Sequence, residues 1–177
     1  NTLSQALIEV FEKGRHADRM IDKYTRVNRN WSPADRSFFA EAVYGIVRHK
    51  RSLEFIAESV EIWPVIAAYL MTKNLKPVVR PEFKNTDATK MKARSRAQKP
   101  AAIEHSFPDW LFELGQKEFA AEWPAIMQSL SKDPLIYLRT NTLKTNAQKL
   151  IQDLKVEKII AEKITGSLTI PDGLCLR

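Results

Sequence analysis

Glycine, cysteine and long apolar runs are all scarce in this chain. Only 5 of the 177 residues are glycine (Gly14, Gly45, Gly115, Gly166, Gly173). They lie far apart, so no glycine-rich loop able to cradle a phosphate or a nucleotide cofactor is written into the sequence. The single cysteine, Cys175, excludes an internal disulfide framework and fits a reducing cytosol. His16, His49 and His105 are scattered without paired ligand spacing, so no metal site is expected. No apolar run approaches the roughly 18–20 residues that a membrane helix needs. The opening Asn1-Thr2 has neither the basic nor the apolar region of a signal peptide. A cytoplasmic protein with no membrane partner is the expectation.

What is present is an ordinary globular composition, 44% hydrophobic and 28% charged, long enough for one domain or two small ones. The net charge of +7 is concentrated in one place. Residues 76–103 hold Lys76, Arg80, Lys84, Lys90, Lys92, Arg94, Arg96 and Lys99 against Glu82 and Asp87, between two nearly neutral flanks. Such a tract attracts polyanions, because bound Lys and Arg release counterions condensed on phosphates. A solvated flexible linker would carry the same charges.

Before the tract, the pattern is helical. Leu3, Ala6, Leu7, Val10 and Phe11 form one stripe ended by Gly14, and Met20, Ile21, Tyr24 and Val27 form another. Ser32-Pro33-Ala34-Asp35 is a helix start for a run burying Phe38, Phe39, Ala42, Val43, Ile46 and Val47. A short helix around Leu53–Val60 follows, and Ile62–Met71 is apolar almost all round, as a central helix would be. Residues 84–100 lack an apolar period and read as flexible.

Order resumes at Ser106-Phe107-Pro108-Asp109, read as a capping box with Trp110, Leu111 and Leu114 inward. Trp123-Pro124 opens a helix with Ile126, Met127 and Leu130. Trp31, Trp63, Trp110 and Trp123 are expected as core anchors. Leu135–Thr140 alternates as a strand, with Tyr137 and Arg139 facing away from Ile136 and Leu138. Thr145–Gln148 caps a helix carrying Ala147, Leu150, Ile151 and Leu154. Short strands are expected near Lys158–Glu162 and Leu168–Ile170, a turn at Pro171–Gly173, and an outward extension over Leu174–Arg177.

Asp35-Arg36, Phe38-Phe39, Tyr44-Gly45, Val47-Arg48 and Leu53, then Ser106, Pro108, Trp110 and Leu111, then Leu138-Arg139-Thr140-Asn141-Thr142, occur in an order that resembles the amino-terminal half of the Sun/Nop family of RNA cytosine-5 methyltransferases. The resemblance implies a mainly α fold: a truncated NusB-like helical bundle over 1–76, a basic linker over 77–103, and a small α+β RNA-binding domain over 104–177. The family's catalytic domain, with two cysteines and a glycine-rich S-adenosylmethionine loop, is not in these residues. The reading is therefore a substrate-handling fragment of a ribosomal RNA methyltransferase, itself without catalytic, cofactor or metal residues. Cys175 is taken as an ordinary strand residue. Expected partners are ribosomal RNA and the parent's own catalytic domain, with S-adenosylmethionine the parent's cofactor. The candidate RNA contacts are Arg139, Asn141 and Lys144; Arg48, Lys50 and Arg51 at the end of the best-defined helix; and Lys90, Lys92, Arg94 and Arg96 in the tract. Arg139 can equally meet the catalytic domain, Asn141 can bond its own turn, and the cluster at 48–51 also complements a helix dipole. The alternative is a NusB-like protein-interaction or transcription antitermination module without methyltransferase activity.

Overall fold

A helix that is apolar on every side must be surrounded, and helix α5 (Ile62–Thr72) organises the first half of the chain for that reason. Val65, Ile66, Ala67, Ala68 and Tyr69 are all buried, more than one full turn. Four helices pack against α5: α1 (Thr2–Phe11), α3 (Pro33–Arg48), α4 (Lys50–Ala57) and α6 (Ala88–Arg96). Helix α2 (Ala17–Val27) lies on α1 and α3, where Met20 joins Ala6, Phe39 and Val43 in a second apolar cluster. Among the described residues no single helix is long and apolar enough to cross a membrane.

The computed structural model describes residues 2–75, 81–84, 86–132, 135–164 and 172–176. It divides into two compact units, Asn1–Gln128 and Ser129–Arg177. The mainly helical bundle followed by a small α+β part agrees with the expected fold class.

Local chemistry accounts for the helix ends of the first unit. Gly14 stops α1 in the left-handed region at φ +63°, and Arg15 N–H returns to Glu9 C=O at 3.0 Å. At α3 the Ser32 Oγ accepts from Asp35 N–H at 3.2 Å while the Asp35 carboxylate accepts from Ser32 N–H at 3.0 Å, a complete capping box. The Ser32 hydroxyl also donates to the Asp35 carboxylate at 2.7 Å, and that bond first, then the one from Ser32 N–H, holds the Asp35 carboxyl below its ordinary pKa.

Several expectations are corrected. A helix stands at residues 88–96, where no apolar period announced one: Asp87 caps α6, accepting from Thr89 and Lys90 N–H, and Met91 is 4% exposed against α4 and α5. One buried methionine in a basic helix shows no apolar period, yet it anchors the helix and extends the bundle past α5. Ser106 does not cap a helix. After the short α7 (Ala101–Glu104), helix α8 (Asp109–Phe119) starts behind Pro108 with no side-chain cap, and Ser106 Oγ instead accepts from Ser52 N–H of α4 at 3.1 Å. Trp123, at the start of helix α9 (Trp123–Ser131), is buried on Gly115, where an added Cβ would lie 2.3 Å from the ring. Trp110 is the reverse: 66% exposed, with Leu114 at 46% beside it. Val27, Phe38 and Leu130 are exposed as well.

In the second unit, strands β1 (Tyr137–Arg139), β2 (Ala161–Lys163) and β3 (Gly173–Leu176) form an antiparallel sheet in the order β1-β3-β2. The segment expected to extend outward is thus the central strand, because Gly173, Leu174 and Cys175 are all buried. Helix α10 (Ala147–Val156), capped by Asn146 Oδ1 on Lys149 N–H at 2.9 Å, packs on β2. The strand expected near Lys158–Glu162 is shorter and later, and the one expected at Leu168–Ile170 lies outside the described residues.

Met91→Ala should lower unfolding free energy by about 2–4 kcal/mol in a urea titration. No change would mean that α6 is undocked. A carboxyl whose folded pKa is depressed stabilises above its unfolded pKa, and that stability is lost as pH falls through the folded value. Asp35→Asn should therefore lie below wild type in Tm near neutrality, the gap closing below about pH 4. A gap independent of pH would remove the charge from the capping argument.

Candidate nucleic-acid interface

The candidate cations divide into those spent on architecture and those left outward. Arg51 is spent. Its guanidinium donates to Phe107 C=O and pairs with Asp109 at 2.8 Å, while the next residue, Ser52, donates its N–H to Ser106. Two adjacent residues of α4 thus clasp the start of α8. Lys50 pairs with Glu54 one turn on and lies 5.2 Å from the Phe11 ring centroid. Arg48 ends α3 and is exposed.

Helix α6 sorts its four cations by face, since residues two apart on a helix point in nearly opposite directions. Arg94 pairs with Glu58 and donates to Ile56 C=O at 3.4 Å, and Lys90 lies 3.9 Å from Asp87. Lys92 and Arg96 fall on the other side, with no acidic partner among the described residues. They rim a groove of about 630 Å³ whose floor includes Ala67, Met71, Leu75 and Met91.

In the second unit Arg139 is exposed on β1, opposite Gly173, with no acid against it among the described residues. Asn141 is occupied by its turn. Its Oδ1 accepts from Leu143 N–H at 3.1 Å, and its C=O accepts from Lys144 and Thr145 N–H at 2.9 and 3.0 Å. That turn leaves Lys144 in solvent, five residues from Arg139.

One basic cluster escaped the sequence reading. Arg15, His16, Arg19 and Lys23 line a pocket of about 430 Å³ with Glu9 and Met20. Glu9 is answered within it: its carboxylate accepts from Lys23 at 2.7 Å and from Tyr24 Oη at 2.8 Å. Those bonds, Lys23 first, hold Glu9 below the usual carboxylate range. Burial, then the hydrogen bond to Glu9, pushes the Tyr24 hydroxyl up. The signal was there in the four-residue spacing of Arg15, Arg19 and Lys23. The exposed Tyr137, two residues before Arg139, was also passed over.

Gly45 is packed under the Tyr69 ring and Gly115 under the Trp123 ring, so neither leaves a cradle beside its backbone. Cys175 is buried in mid-strand, paired with Tyr137 and Glu162. Among the described residues no group of three His, Cys, Asp or Glu could hold a metal ion.

Residues 107–177 match the family described as methyltransferase RsmF/B-like, ferredoxin-like domain. Over an aligned stretch of 210 residues the chain is 25% identical to a protein of Synechocystis sp. named "Probable ribosomal RNA small subunit methyltransferase B". The alignment takes in 96% of this chain but 46% of the relative, so the chain spans about half the length of the curated relative it matches. The stretch is longer than the 177-residue chain, so the relative carries residues within it that this chain does not. The chain is thus similar to an RsmF/B-like domain over residues 107–177 and, along most of its length, to part of a protein named as a ribosomal RNA methyltransferase.

Arg51→Ala should cost about 1–2 kcal/mol of stability through the lost clasp and leave nucleic-acid affinity within about twofold. Lys50→Ala, an i,i+4 surface pair, should cost under about 1 kcal/mol. An Arg51→Ala variant of full stability and reduced RNA affinity would return Arg51 to the binding surface.

Proposed function

We propose that these 177 residues are the RNA-recognition part of a cytoplasmic, S-adenosylmethionine-dependent ribosomal RNA cytosine-5 methyltransferase. The transfer chemistry belongs to regions of the parent outside them. The observation that carries this reading is the match of residues 107–177 to an RsmF/B-like domain, together with the exposed Arg139 that strand β1 presents in it. The relative's printed activity supports the same substrate class. The units 1–76, 77–103 and 104–177 would correspond to a NusB-like bundle, a basic connection and an RNA-binding domain. The helical α6 makes the middle part a scaffolded basic surface.

Lys92, Arg96, Arg139 and Lys144 are the residues assigned to phosphate, with Arg48 a further contact. Lys90 and Arg94 contribute less, because Asp87 and Glu58 already neutralise them. A guanidinium offers a planar fork matched to phosphate oxygens, which favours Arg139 and Arg96 over the lysines. Asn141 is assigned to shaping the turn. The parent's catalytic domain is a further partner in this reading.

The groove between α5 and α6 favours one second reading. Its aliphatic floor suits the apolar face of a protein helix, as a protein-interaction module would need.

Salt separates the two. RNA affinity of the chain should fall steeply with salt, and the paired Lys92→Ala/Arg96→Ala variant should flatten the log–log slope by about 1.4–1.8, from roughly 0.7–0.9 per phosphate contact. Lys90→Ala/Arg94→Ala should change it less. An unchanged slope in the first variant removes phosphate contact from α6, and RNA affinity indifferent to salt favours the protein-binding module.

A further inference from the structure

We propose that the Tyr137 face of strand β1 in the second unit is a stacking shelf for unpaired RNA bases, with Tyr137 as the platform and Arg139 holding the adjoining phosphate. The inference rests on the RNA-binding reading above and adds which RNA is taken and by which ring.

The register defines the shelf. Residues directly opposite on neighbouring strands present side chains to the same face. Leu138, Leu174 and Lys163 lie in one such row. Leu174 is fully buried in that face, and Ala161, two residues before Lys163, is buried on it too. Tyr137, Cys175 and Glu162 form a row on the other face, and Arg139 and Gly173 begin the next. On this face Tyr137 remains 59% exposed. A large ring left in water on a strand is apolar area without cover.

The neighbours of the ring specify the occupant. Towards the central strand stand Cys175 and Gly173, both small and both buried, so neither rises beside the Tyr137 ring. Arg139 rises two residues on, about 7 Å along the strand. Leu135, two residues before the ring, is 51% exposed as well, and the pairing of one aromatic ring with a cation gives a planar, electron-rich contact of base size. Arg139 and the turn carrying Lys144 set both cations at one end of this face, and the sugar–phosphate chain would lie there.

The shelf also sets the form of the RNA. In a duplex the base faces are stacked on one another and closed to a side chain. A single strand, loop or bulge presents them, and stacking on an aromatic ring tolerates any base. The second unit would thus take unpaired nucleotides, with little preference for their identity.

The test uses the 177-residue chain in fluorescence-anisotropy titrations with a labelled single-stranded 12-nucleotide RNA and the same sequence in a duplex. The single strand should bind more tightly. Tyr137→Ala should weaken it about 5- to 100-fold with little effect on the duplex, and Tyr137→Phe should stay within about twofold of wild type. Tyr137→Leu keeps apolar volume without a ring, so it guards against an alanine variant that fails to fold and should bind as poorly as alanine would. Leucine equal to tyrosine, equal binding of both RNA forms, or an alanine variant equal to wild type would each overturn the shelf while leaving RNA binding intact. Failure of the wild-type chain to bind either RNA would overturn the RNA reading itself, and the shelf with it.

Discussion

The burial of α5 is the constraint on which the first unit depends. A helix apolar around its whole circumference is unstable in water, so α1, α3, α4 and α6 must close round it. That demand explains why a helix as basic as α6 is held at all. Met91 supplies a single apolar anchor, and Arg94 reaches back to Glu58 and Ile56 C=O, tying the same helix to α4. The tract with the highest charge density is therefore structural on one side and electrostatic on the other.

The same economy runs through the other cations. Arg51 lies at the point where α4 meets the start of α8, and its five donors are better matched to a carbonyl and a carboxylate there than to solvent. Lys50 closes a one-turn pair, and Lys23 answers Glu9 across the α1–α2 turn. Exposed cations with no acidic partner among the described residues include Lys92 and Arg96 beside the α5–α6 groove, Arg15 and Arg19 around the α1–α2 pocket, and Arg139 and Lys144 in the second unit. A charge is available to a polyanion only where the fold has not already given it an acid.

Much of the fold was legible beforehand because its signals are local. The capping box at Ser32–Asp35, the glycine stop at Gly14 and the all-round apolarity of Ile62–Met71 each arise within a few residues, and each is found in place. The failures share one cause, a partner distant in sequence. Ser106 looks like a cap but bonds Ser52, 54 residues away. Trp110 and Trp123 are alike by composition, yet only Trp123 meets a glycine that admits its ring. Arg51 reads as a surface cation until Phe107 and Asp109 are brought to it.

The sequence alone determined the fold class, the helix starts set by hydroxyl and carboxylate spacing, and the strand that presents Arg139. Periodicity and capping depend on neighbours one turn or two residues apart. Only the tertiary structure decided that residues 88–96 are a docked helix, that Leu174 and Cys175 form the middle of the sheet, and which cations still face solvent. Those outcomes turn on long-range pairing. A lone apolar residue becomes a core residue, and a lone charge becomes a spent one, when the chain closes on itself.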